Sequence, residues 1–116
     1  MSQDQDDQIS QDLFYERADE FILLANQLSS DDQAETLNAD PGKVSASFMY
    51  ANARYSVWLA ACQHANAAEF KLDRQSIIDY FTDQFKMMLE DNFDEYHENF
   101  DSYFDKPEEN EVKRFV

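Results

Sequence analysis

The chain has 116 residues, 25 acidic against 9 basic, for a formal net charge of -16; 43% of residues are hydrophobic and 15% aromatic, with 1 glycine, 2 prolines and 1 cysteine. Such an excess of carboxylate excludes direct binding of nucleic acid or an anionic membrane through a basic patch. One glycine excludes phosphate-cradling loops, dinucleotide fingerprints and nucleophile elbows, and one cysteine excludes an internal disulfide or a cluster of thiolate metal ligands.

The apolar share is enough to fold a chain of this length despite its charge, and a single helical domain is expected over residues 10–105. Residues 1–9 read as a disordered acidic N-terminus, the reverse of a secretory signal, and 106–116 as a disordered tail. The longest unbroken apolar run, Val57 to Cys62, is far short of the ~20 residues of a membrane span. The chain is therefore expected to be cytoplasmic and free of membrane. Asn-Gly hairpin turns are absent, which points to an all-α fold.

Three helical stretches are predicted. The first runs from about Ser10 to Leu28, capped by Ser10 or Asp12, with Phe14, Ala18, Phe21, Ala25 and Leu28 at three- and four-residue spacing. Ser29 to Lys43 is a polar connection, closed by a turn at Asp40, Pro41 and Gly42. The second helix, from about Val44 to Ala65, carries Arg54 as its only formal charge, so it is expected to be buried on several sides as the central helix. Ala46, Ala53, Ala60 and Ala67 recur every seven residues and would admit a closely packed neighbour. Arg54, costly to bury alone, is expected to meet a carboxylate such as Asp19 or Glu16.

The third stretch starts after Asp73, a plausible cap, and its apolar pattern runs through Ile77, Ile78, Phe81, Phe85, Met88 and Leu89 to Phe93, Tyr96, Phe100, Tyr103 and Phe104. About 31 residues of continuous helix would span roughly 46 Å, against about 28 Å for the first helix. The stretch therefore either overhangs the bundle or breaks near Asn92, where Asn92 and Glu95 resemble a capping arrangement. The architecture is a bundle of three helices, or four if it folds back. Rings left in water by an overhang would exceed the apolar patch that monomers tolerate. Phe93, Tyr96, Phe100, Tyr103 and Phe104 are accordingly the candidate self-association residues, with a homodimer as the favoured assembly.

The stretches Phe14-Tyr15-Glu16-Arg17-Ala18-Asp19-Glu20-Phe21, Val44-Ser45-Ala46-Ser47-Phe48-Met49-Tyr50-Ala51 and Ile77 through Tyr103 resemble a family of small acidic all-helical proteobacterial proteins known as a domain of unknown function. The resemblance implies a bacterial cytoplasmic setting. It supplies no catalytic or binding residues.

Candidate chemistry is thin. Glu90, Asp94, His97 and Asp101 share one helical face, but a di-iron bundle needs Glu-x-x-His pairs from two helices, and there is a single Asp94-x-x-His97 pair. Cys62 and His64 sit two apart on a helix, pointing to different sides, so Cys62 reads as a small core residue rather than an activated nucleophile. No cofactor, metal or catalytic residue is assigned. Asp79, Asp83, Glu90, Asp94, Asp101 and Asp105 form an acidic stripe that a basic partner protein could read. The sequence thus points to a non-enzymatic helical interaction or scaffold protein that self-associates. The competing reading is an acidic inhibitor or nucleic-acid mimic acting on a basic partner.

Overall fold

A computed structural model describes residues 3–30, 37 and 39–104, with side chains from Leu13 onward in the first helix. The fold is all-α: α1 Gln3–Leu28, α2 Pro41–Ala61, α3 Ala67–Leu72, α4 Arg74–Glu98 and α5 Phe100–Tyr103, with no strand among the described residues. The residues expected to form one domain group into two compact units, the first ending at Ala51 and the second beginning at Asn52.

In the first unit, α1 begins at Gln3, well ahead of its expected caps, so Ser10 and Asp12 are interior positions and residues 3–9 are helical. The end of α1 falls where expected. Its last carbonyls take hydroxyls beside backbone amides: Ala25 O accepts Ser29 Oγ (3.1 Å) and Ser29 N–H, and Gln27 O accepts Ser30 Oγ (2.7 Å) and Ser30 N–H. Of the expected stripe, Ala18, Ala25 and Leu28 are half-buried, whereas Phe14 and Phe21 are exposed, Phe21 with the Phe48 ring at 6.2 Å.

Asp40, Pro41 and Gly42 are not a closing turn but the start of α2. The Asp40 carboxylate accepts the Lys43 N–H at 2.9 Å, and the Asp40 carbonyl accepts that of Val44 at 2.9 Å. Pro41 occupies the first helical position, where its missing N–H costs nothing and its fixed φ suits the helix. Val44 is buried beside this cap.

In the second unit α2 stops at Ala61, earlier than expected, because Asn66 adopts an extended backbone to cap α3. The Asn66 side chain accepts the Glu69 N–H at 2.9 Å. The spacing Asn66-x-x-Glu69 is a helix-start signal, and α3 is the element the periodicity missed. Ala67 therefore belongs to α3, and the alanine row does not lie on one helix. Among the described residues of α2, Val44 and Ala60 are buried while Met49, Tyr55, Trp58 and Leu59 are exposed. Few charges did not mean burial on several sides, because Ser45, Ser47, Asn52 and Ser56 keep part of the helix wettable. Arg54 is also exposed, so water solvates its guanidinium and the reason for a carboxylate partner lapses.

α4 runs unbroken through Asn92, whose side-chain amide donates back to Met88 O at 2.8 Å within the helix. The break comes at Asn99, where φ -112 and ψ 25 leave the helical region.

The cap at α2 sets a stability prediction. Asp40→Ala should lower stability by about 1 kcal/mol by orphaning the Lys43 amide. Gly42→Ala, whose added Cβ would meet the Asp40 carboxylate at an ordinary 3.4 Å, should raise it by up to about 1 kcal/mol. Urea melts of both variants check the pair; equal midpoints would contradict the cap.

Candidate functional site

Two clusters in the second unit bring polar and aromatic chemistry together. The first is the carboxy-terminal aromatic group. Because the backbone turns at Asn99, the rings of Tyr96 and Tyr103 stack at 4.3 Å and 17°. On an unbroken helix those seven residues would be separated by about 10 Å along the axis. Phe104 closes the group, 4.8 Å from Phe100 and 6.3 Å from Tyr96.

Polar bonds fix this turn. Asn99 Nδ2 donates to Glu95 O at 3.0 Å, and the Tyr103 hydroxyl reaches the Glu95 carboxylate at 2.8 and 3.0 Å. Giving its hydrogen to a carboxylate holds the Tyr103 hydroxyl above the ordinary tyrosine range, and desolvation adds to the effect. The rings thus shield one another in part, an arrangement between the straight overhang and the returning fourth helix. Tyr96 and Phe104 are half-buried, whereas Phe100 and Tyr103 remain exposed and Phe93 is 70% exposed. Upstream on α4, Leu89, Met88, Phe85 and Ile78 are exposed as well.

The second cluster is the joint between α2 and α4, which the sequence reading did not find. His64 lies in the link after α2, not on it. Its Nδ1 is 2.8 Å from Ala60 O and its Nε2 is 2.7 Å from Asp73 Oδ2, while its ring meets Phe70 at 5.3 Å. Asp73 sits at the expected N-cap of α4, but its side chain makes no capping bond and serves His64 instead. The backbone carbonyl of Asp73 takes over locally, accepting from Ser76 Oγ at 3.0 Å and Ile77 N–H at 3.0 Å. A groove of about 430 Å³ opens beside the joint, with Leu59, Ile77, Tyr80 and Phe81 on its apolar side.

Asp73, His64 and Ser76 share this groove without forming a hydrolytic triad. A triad needs one imidazole nitrogen on the carboxylate and the other on the hydroxyl. Here the second nitrogen goes to a backbone carbonyl, and Ser76 donates to the Asp73 backbone. Cys62 is exposed, a correction to its expected place in the core, and the same two bonds engage the nearby histidine. No group of three His, Cys, Asp or Glu side chains suited to a metal ion occurs among the described residues. Glu90, Asp94 and His97 are on α4, but Asp101 lies past the break on α5, and the His97 ring is parallel to Phe93 at 6.5 Å. Asp79, Asp83, Glu90 and Asp94 are exposed on α4, so the acidic stripe is real over that helix; Asp105 lies outside the described residues.

The Tyr103 bond has a measurable consequence. With its folded pKa raised, the stabilisation from Tyr103 is present below the ordinary tyrosine value of about 10 and is lost as pH rises through the folded value. Ultraviolet titration of the 6 tyrosines should show one ionising late, and Tyr103→Phe should remove that component. An identical late component in the variant would contradict the bond.

Comparison with known proteins agrees with the helical fold. The chain is similar to a solved structure, the NMR structure of the protein NB7890A from Shewanella sp, at 40% identity and a TM-score of 0.64, over 78% of this chain and 88% of that one. No curated protein matches the chain. Residues 14–97 match the family described as a protein of unknown function, DUF3144. That span contains the first two stretches that carried the resemblance and most of the third. The chain belongs to the DUF3144 family of proteins of unknown function.

Proposed function

We propose that this protein is a non-enzymatic helical interaction or scaffold protein that self-associates as a homodimer. The contact surface is the exposed apolar face of α4 together with Phe93, Tyr96, Phe100, Tyr103 and Phe104. The observation that carries the proposal is the row Ile78, Phe85, Met88, Leu89 and Phe93, between 40% and 70% exposed along one helix. An aromatic side chain removes on the order of 150–250 Å² from water when buried, and contiguous apolar patches beyond a few hundred Å² mark interaction sites. The half-shielded cluster after Asn99 extends this surface and gives it rigid, stacked rings suited to an interface. A non-enzymatic role is supported by His64, whose two nitrogens are both engaged in structural bonds. Cytoplasmic residence belongs to the same proposal.

A second reading, an acidic inhibitor or nucleic-acid mimic for a basic protein, is favoured by the exposed row Asp79, Asp83, Glu90 and Asp94. Salt separates the two. Two copies that each carry -16 repel, so screening should strengthen self-association, whereas it weakens capture of a basic partner.

Sedimentation velocity of the full chain should show the dimer fraction rising as the Debye length falls from ~30 Å to ~3 Å. The double substitution Leu89→Ser with Phe93→Ser, at exposed positions, should leave a folded monomer. A wild-type chain that stays monomeric at every salt and protein concentration would refute self-association.

A further inference from the structure

We infer that His64 is a pH-operated latch that ties the last turn of α2 to the start of α4. This inference stands on the second unit alone and does not depend on self-association. Its basis is that both ring nitrogens face acceptors. Ala60 O carries no hydrogen, so Nδ1 at 2.8 Å must donate. A carboxylate oxygen likewise carries no hydrogen, so Nε2, 2.7 Å from Asp73 Oδ2, must donate too. A ring that donates from both nitrogens is an imidazolium.

The surroundings suit that cation. Its side chain is only 17% exposed, with the Phe70 ring at 5.3 Å. The charged groups facing it are Asp73 at the head of α4 and Glu69 on α3, both acidic. Tyr80 of α4 lines the same groove. Ala60 O lies at the end of α2, where the helix dipole favours positive charge, and also accepts the Gln63 N–H at 3.1 Å. The Asp73 hydrogen bond first, then that of Ala60, holds the ring's proton above the ordinary imidazole range, against a smaller opposing effect of burial.

Loss of the proton leaves one hydrogen for two acceptors. If Nδ1 keeps it, the Nε2 lone pair opposes the Asp73 carboxylate; if Nε2 keeps it, the Nδ1 lone pair opposes the Ala60 carbonyl, which is left with the Gln63 N–H alone. Either way, one side of the joint lets go, and the link from Cys62 to Asp73 loses its cross-tie. With the folded pKa raised, the tie is complete below about 6.5, the ordinary imidazole value, and is lost as pH rises through the folded value.

Proton NMR titration with nitrogen-15 detection of the imidazole rings in the full chain tests the latch. The His64 ring should show hydrogens on both nitrogens at low pH and a midpoint above that in Asp73→Asn. The backbone amides from Gln63 to Ser76 should shift with the same midpoint. In His64→Gln, which keeps one donor but cannot titrate in this range, that amide response should vanish. Equal midpoints in the wild type and Asp73→Asn, amides that stay still through the ring's titration, or an amide response that persists in His64→Gln would each overturn the latch.

Discussion

The apolar face of α4 is the constraint on which the rest of this molecule depends. A helix hides only the stripe that a neighbour covers, and among the described residues the buried apolar side chains are Val44 and Ala60. Ile78, Phe85, Met88, Leu89 and Phe93 of α4 keep a large share of their surface in contact with water. The turn at Asn99 is a partial answer to that exposure. It brings Tyr103 and Phe104 back over Tyr96, and the polar bonds from Asn99 and Tyr103 to Glu95 hold them there. A four-residue helix cannot cover a 25-residue one, so Phe93, Leu89 and Met88 stay exposed.

The charge sets the terms of any such contact. Glu90, Asp94 and their neighbours on α4 border the same face, so copies meeting there must bring carboxylates together or slide past one another in a register that separates them. Association of this kind is weak in dilute buffer and firmer when ions screen the repulsion. The joint at His64 answers a different need. It places one positive ring between the end of α2 and two carboxylates, where the sequence offers few other cations, and so fixes the link around α3 with a single side chain.

Much of the fold was legible in the residues, and the misses have physical causes. The long helices follow from three- and four-residue apolar spacing, and the end of α1 and the start of α4 fall where the sequence puts them. The start of α2 was displaced because Asp40-Pro41-Gly42 serves equally as a turn signal and as a cap followed by a helix-compatible proline. Asn92 and Asn99 carry the same side chain and both bond back four residues, so local chemistry alone does not tell which ends the helix. The packing of Tyr103 and Phe104 on Tyr96 distinguishes them, and that contact is tertiary. His64 and Asp73 are nine residues apart across a short helix, beyond any helical period. The one signal that could have found the joint was Asn66-x-x-Glu69, which announces a new helix and forces the chain out of α2 beforehand.

A face this greasy on so acidic a chain has a direct observable. In a concentrated sample mixing carbon-13-labelled and unlabelled copies of the full protein, an isotope-filtered NOE spectrum should connect the Phe93 ring and Leu89 methyls of one copy to α4 side chains of another. A filtered spectrum empty of such contacts, with every Phe93 NOE arising inside its own chain, would contradict the central claim that a second copy covers α4.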